Sequence, residues 1–229
     1  KHIPSKFFYD SNGDKLFQDI MNMEEYYLTD SEYEILQKNK EELLYLFSEG
    51  TKTFQLIEFG AGDGLKTKVL LKYFQSKSVD FEYLPIDISK NAIDSLTSEL
   101  EDEIPGLAVQ GIVADYFSAL GKLKKQGDTK KIILFLGSNV GNFEYAGAVG
   151  FYKKMAGYCN PGDQVLTGFD IKKNPHTIQK AYNDSQGITR EFNMNLLARM
   201  NKEFHANFNL ETFMHYPVYN PESGEAKSY

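Results

Sequence analysis

The sequence contains no tryptophan and a single cysteine, Cys159, in 229 residues. One thiol cannot close an internal disulfide, so a stapled secreted scaffold is excluded. No apolar run approaches the roughly 20 residues that a bilayer-spanning helix needs. No signal-type leader opens the sequence at Lys1, and the protein is read as intracellular and cytoplasmic. Positive charge is in deficit as well: 25 Lys and Arg against 32 Asp and Glu leave a net charge of -7. Non-specific attraction to a phosphate backbone or an anionic lipid surface is thereby disfavoured. The four histidines, His2, His176, His205 and His215, show neither an HxxxH nor a cysteine-paired spacing, so no metal site is predicted and each is expected at the surface. Neither nucleic acid nor membrane is expected as a partner. A small molecule is, with the chain acting as a monomer.

The composition, 41% hydrophobic and 25% charged, is that of a globular domain with a sizeable core. No repeat organises it. Short apolar runs at residues 55–60, 81–88, 107–114, 131–136 and 164–169 read as buried parallel strands. Helical spacing at residues 66–75, 89–101 and 144–158 separates most of them. The alternation predicts an α/β fold with a doubly wound, Rossmann-like sheet over residues 51–170. Residues 1–50 and 171–212 read as helical additions forming a substrate lobe. In the first, Thr29 and Glu32 make a capping-box pattern that opens a helix through Tyr33, Leu36, Leu43, Leu44 and Phe47, whose apolar face is expected to pack on the sheet. In the second, Pro175 marks a start and Gly187 a break. Residues 213–219 alternate like a further strand with none following, so residues 213–229 are expected to begin a C-terminal strand region that is cut short.

After the first predicted strand comes IEFGAGDGLKT, with Gly60, Gly62 and Gly64. The spacing is GxGxG, neither the GxGxxG of dinucleotide sites nor a P-loop. Small residues there let backbone approach a ligand, and the following helix N-terminus offers amides to a carboxylate. Glu58 precedes the turn, placed to hold loop amides or a ligand's amino group. Asp87 ends the second strand, where a carboxylate accepts from two ribose hydroxyls. Asp115 follows the third, with Tyr116 beside it, placed to take an adenine amine. Such a set suits a nucleoside with a positive centre and no phosphates, of which S-adenosylmethionine is an example. The blander account makes the glycines a tight turn and the acids helix caps.

Several stretches, PSKFFYDSNGDKLFQDI, MEEYYLTDSEYEIL, IEFGAGDGLKT, PIDIS, FLGSNVGNF and AYNDSQGITREFNMNLLARMN, cover nearly the whole chain. In these the sequence resembles the histidine-specific, S-adenosylmethionine-dependent N-methyltransferases that make trimethylhistidine on the way to ergothioneine. The resemblance implies a class I methyltransferase fold and S-adenosyl-L-methionine as cofactor. It implies that Gly60 and Lys66 contact the methionine part, with Gly62 in the same turn, that Asp87 holds the ribose, and that Asp115 and Tyr116 hold the adenine. Phenylalanine is usual in the family where Tyr116 stands. For the amino acid it implies Tyr9, Tyr26, Asn142 and Tyr182, the last two on the substrate carboxylate. A glutamate and a serine that recognise imidazole would lie beyond Tyr229.

Methyl transfer needs positioning more than a covalent nucleophile. Tyrosines suit that task, because their rings face a methylated ammonium favourably and their hydroxyls bond substrate or an ordered water. No single general base stands out: Tyr9 is the candidate catalytic residue as the holder of a water that takes the amine proton, which can equally pass to solvent. Tyr27, Tyr33 and Tyr45 are expected merely to pack with their hydroxyls at the surface. Ser138 does not meet GxSxG, Cys159 is expected to be a bystander in its turn, and Lys122 to Gln126 a solvated helix end. Other readings stay open: another amino acid or aromatic amine as substrate, or a cofactor-binding module without catalysis.

Overall fold

The computed structural model describes residue 3 and residues 7–125 and 127–229. His2, Gln126, and Pro4, Ser5 and Lys6 of the first family-like stretch lie outside the described residues. Two compact units are present: Asp30–Phe169, and Lys1–Thr29 together with Asp170–Tyr229.

The first unit is built on a parallel sheet. Its strands are β1 (Thr53–Phe59), β2 (Asp80–Asp87), β3 (Ala108–Val109), β4 (Ile112–Val113), β5 (Lys130–Phe135) and β6 (Gln164–Thr167), in the order β3-β2-β1-β5-β6 with β4 also paired to β2. In-register parallel pairing sets Ile57 beside Leu84 and Ile133. Alternation along the strands then feeds two cores. Phe54, Leu56, Tyr83, Ile132 and Leu134 face helices α2 (Leu28–Ser48), α3 (Lys68–Ser76) and α4 (Lys90–Glu103). Ile57, Phe59, Leu84, Ile133 and Phe135 face α5 (Tyr116–Lys125) and α6 (Tyr145–Ala156). Both faces are covered, which is why these strands are apolar at nearly every position. The predicted α/β doubly wound fold is the observed one, and the face of α2 carrying Leu36, Leu43 and Phe47 packs on the sheet.

Two local expectations change. The strand over residues 107–114 is two short bridges, β3 and β4. Between them Gly111 passes so close to α4 that a Cβ would lie 2.5 Å from Ile93 Cγ2. The capping box also fails: Thr29 lies within the first turn of α2, and Glu32 turns its carboxylate to residues far away in sequence.

The second unit is helical. α1 (Ser11–Met21) is capped by Asp10, whose Oδ1 accepts from the Gly13 amide at 2.8 Å. α1 packs on α8 (Ile188–Phe204), which Gly187 starts in the left-handed region at φ 76°, and α7 (Pro175–Ala181) opens on Pro175. The strand expected over residues 213–219 is instead β7 (Pro217–Asn220). It pairs antiparallel with β8 (Glu225–Ser228) in a hairpin of its own, so a strand does follow it. His215 is half-buried rather than at the surface, its Nε2 3.0 Å from the Ser228 hydroxyl.

Candidate cofactor and substrate site

The order of the strands reverses between β1 and β5, and a doubly wound sheet opens its binding crevice at that point, outside the carboxyl ends of the strands. Gly60 follows β1 and Gly137 follows β5, so the two glycine turns flank the crevice. Gly60, Gly62 and Gly64 all adopt left-handed backbone, with φ of 68°, 54° and 64°. A side chain is disfavoured at each. At Gly60 a Cβ would lie 3.0 Å from the Tyr116 hydroxyl, and at Gly64 it would lie 2.6 Å from Leu96 Cδ1. The Gly60 amide donates to Ile86 O at 2.8 Å, fixing the turn to the end of β2.

Asp87 stands at that end, half-buried. Its Oδ1 accepts from the Ser89 amide at 2.9 Å and its Oδ2 from the Gly62 amide at 3.4 Å. One carboxylate thus braces the glycine turn and the start of the next helix, and each oxygen keeps acceptor capacity for a diol. Asp115 is exposed and caps α5, accepting from the Phe117 and Ser118 amides at 3.2 and 3.1 Å and from the Ser118 hydroxyl. Those bonds, the Ser118 hydroxyl foremost, hold its pKa below the usual carboxylate range. Tyr116 lies flat on Phe59, centroids 4.5 Å apart and planes 3° apart, so its ring belongs to the core and its hydroxyl reaches up beneath Gly60. Burial, with the Asp87 charge nearby, pushes that phenol up to about 12.

Glu58 does other work than expected. It is only 3% exposed, and its oxygens accept from the Thr67 hydroxyl at 2.7 Å and from the Tyr83 hydroxyl. Instead of holding loop amides or a ligand, it ties the N-cap residue of α3 to β2 beneath the glycine turn. Burial raises its pKa to about 7, against the lowering effect of those two hydroxyls.

Sequence reasoning missed Glu32. Its carboxylate accepts from the Gly137 amide with both oxygens, at 3.0 and 2.8 Å, and pairs with the Lys66 ammonium. The lysine expected at the methionine part is therefore held from α2. Asn139 was missed too: its side-chain amide donates to Leu136 O at 2.8 Å and lies close to both Gly60 and Gly137. Asn142 ends the 3-10 turn Asn139–Asn142 and is exposed. That turn is launched by Ser138, a non-glycine residue at φ 53°, a conformation that clusters at functional loops.

In the helical unit, Tyr9 and Tyr26 both set their rings edge-on to Phe17, with centroids 5.5 and 6.5 Å away. Phe192 of α8 lies 5.7 Å from Tyr9. The segment bearing Tyr26 is joined to the one bearing Tyr182, because Ser185 donates from its hydroxyl to Glu25 at 2.8 Å. Tyr182 caps α7, and burial raises its phenol, with the Asp170 charge adding to the effect. Tyr27 departs from expectation. Its hydroxyl donates to Asp170 at 2.5 Å, Lys173 lies 4.1 Å above its ring, and burial with the Asp170 bond pushes its pKa upward. Tyr33 and Tyr45 are exposed, as expected. In the helical unit, by contrast, Tyr27 reaches Asp170 across 143 residues and Ser185 reaches Glu25 across 160, which no local pattern reveals.

Over its full length, residues 1–229, the chain matches the family described as histidine-specific, SAM-dependent methyltransferase. It is 32% identical to the histidine N-alpha-methyltransferase of Mycolicibacterium smegmatis, over 97% of this chain and 67% of that protein. The corresponding enzyme of Mycobacterium tuberculosis is 30% identical over 96% and 67%. Ergothioneine biosynthesis protein 1 of Schizosaccharomyces pombe is 30% identical over 99% of this chain but only 30% of its own length. A match across every residue, on a sheet with its glycine turn and acidic strand ends in this arrangement, establishes that the chain belongs to the histidine-specific, S-adenosylmethionine-dependent methyltransferases.

Proposed function

We propose that this protein methylates the α-amine of L-histidine, in successive transfers to trimethylhistidine, on the route to ergothioneine. The observation that carries the proposal is the crevice edge where three left-handed glycines, Asp87 and Lys66 converge, in a chain that matches the histidine-specific family throughout. S-adenosylmethionine supplies an electrophilic methyl on a positively charged sulfur. The donor set fits such a ligand: acceptors for a diol at Asp87 and for an amine at Asp115, and a cation at Lys66 for a carboxylate.

Each residue then has a task. Gly60 and Gly62 let the backbone approach, and Lys66 receives the methionine carboxylate. Asp87 takes the ribose hydroxyls. Asp115 takes the adenine amine, while Tyr116 shapes the floor from within the core. Glu58 is a positioning residue beneath the turn. Asn142 and Tyr182 hold the carboxylate of the amino acid, and Tyr26 lines the path to its amine. The amine must release a proton before its lone pair can attack, and that proton passes to solvent or to a water held by the Tyr9 hydroxyl. Tyrosine faces tolerate a cation that grows by one methyl at a time, where a carboxylate would grip it. The helical parts at residues 1–29 and 171–212 form the substrate lobe in this reading, since residues 30–50 of the expected lobe belong to the sheet unit.

The test is incubation with S-adenosylmethionine and a panel of free amino acids, read by mass spectrometry. Mono-, di- and trimethylated histidine are the expected products. Methylation of a different amino acid refutes the substrate, and cofactor binding with no product at all refutes the enzyme.

A further inference from the structure

Glu32 stands where three strand-end loops of the sheet unit meet. Its side chain is only 14% exposed. Both oxygens accept from the Gly137 amide after β5, one also pairs with Lys66 in the β1–α3 loop, and the third neighbour is Gly168, just after β6. Gly168 donates its amide to Phe135 O at 3.0 Å, and a Cβ on it would fall well inside contact distance of Glu32 Oε1. The absence of a side chain at residue 168 thus makes room for the carboxylate. Lys66 Nζ lies 3.5 Å from where a Gly137 Cβ would be, so carboxylate, ammonium and turn form one packed cluster. A long lysine side chain has considerable rotamer freedom to lose. A half-enclosed carboxylate, itself held by a backbone amide, removes that freedom before any ligand arrives.

We propose that Glu32 is a positioning residue for the cofactor: it fixes the Lys66 ammonium and the Gly137 turn in the arrangement that receives the methionine end of S-adenosylmethionine. This rests on the reading of Lys66 given above. Glu32 acts through Lys66, and its removal therefore has no further effect once Lys66 is gone.

Calorimetric titration with S-adenosylmethionine alone tests this, in the wild type, Glu32→Gln, Lys66→Met and the double variant. Glutamine keeps an acceptor for the Gly137 amide and removes only the charge. Glu32→Gln is expected to weaken cofactor binding by about tenfold, the loss of one charge-assisted bond. In the Lys66→Met background the same change is expected to cost under about threefold. A merely structural role for Glu32 would lower affinity equally in both backgrounds, and that result, or wild-type affinity in Glu32→Gln, overturns the proposal. Gly168→Ala gives an independent handle, since it displaces the carboxylate without altering its charge. If Glu32→Gln fails to melt cooperatively, Gly168→Ala decides: about a tenfold loss supports the proposal and unchanged affinity overturns it. A wild type that binds no S-adenosylmethionine refutes the cofactor reading itself. Normal wild-type binding and histidine methylation with no coupling between Glu32 and Lys66 refute only the role of Glu32.

Discussion

Replacing Glu58 by glutamine removes an ionisable group from the interior while keeping its shape, and the consequence is a change in how stability depends on pH. In the unfolded chain Glu58 releases its proton near its ordinary value of 4.5, whereas burial holds it in the folded protein up to about 7. Between those values the folded state binds the extra proton, so stability present below pH 4.5 is progressively lost as pH rises through 7. At about 1.36 kcal/mol per pH unit, the loss comes to about 3 kcal/mol. The residue is fully enclosed, so solvent screening takes little from that figure. Carboxylates such as Glu103, held at about 2 by Lys68 and Lys72, slope the other way at lower pH, but they are common to both proteins and cancel in the difference. Urea unfolding at intervals from pH 4.5 to 8 should therefore show the wild type losing about 3 kcal/mol relative to Glu58→Gln as pH rises. A difference constant to within about 0.5 kcal/mol across that window would refute the claim that burial governs Glu58.

Three further outcomes follow from the geometry of the sheet edge. Asp87→Ala, which strips the acceptor from the Ser89 and Gly62 amides as well as from a diol, should weaken S-adenosylmethionine at least about 100-fold in calorimetry; unchanged affinity would remove the ribose role. Asn142→Ala should raise the KM for histidine by about tenfold or more while leaving the cofactor Kd within about twofold, and an equal loss of both would show that the division of the pocket is wrong. Gly64→Ala forces a residue at φ 64° and drives a methyl to 2.6 Å from Leu96 Cδ1, so urea unfolding should register a loss of about 1–3 kcal/mol; full stability would mean that the turn relaxes freely.

The sheet was legible because each strand buried on both faces is a run of apolar residues, and one residue type at every position needs no knowledge of partners. The first strand, expected over residues 55–60 and observed as Thr53–Phe59, is found within two residues even though Gln55 and Glu58 interrupt its apolar run. What distinguishes Glu58 as a buried anchor rather than a ligand contact is the Tyr83 hydroxyl, 25 residues on, and register alone brings the two together. The third strand was read too long for a related reason: the apolar run continues through Gly111, but the space there is set by Ile93 and Thr97 on a different element. The glycine turn was legible at the level of spacing, since three closely spaced glycines imply special backbone whatever surrounds them.

Polar side chains carry less of their own meaning. Thr29 and Glu32 satisfy a local capping pattern, and local patterns weigh only neighbours within a turn. The partners that Glu32 takes in the structure lie 34 and 105 residues away, and a charge-assisted pair in a half-enclosed cluster outweighs a cap that water can replace at little cost. Tyr27 follows the same rule with Asp170, 143 residues distant, whereas Tyr45, to which the fold brings no such partner among the described residues, remains the exposed ring that composition suggests. Asp115 shows the limit from the other side. Its bonds to the Ser118 hydroxyl and amide make it a helix cap, and the same bonds lower its pKa, which is what the proposed contact with an amine requires of it. Capping and the proposed ligand contact are then not competing accounts of one residue, because the bonds that make the first keep the carboxylate charged, as the second needs.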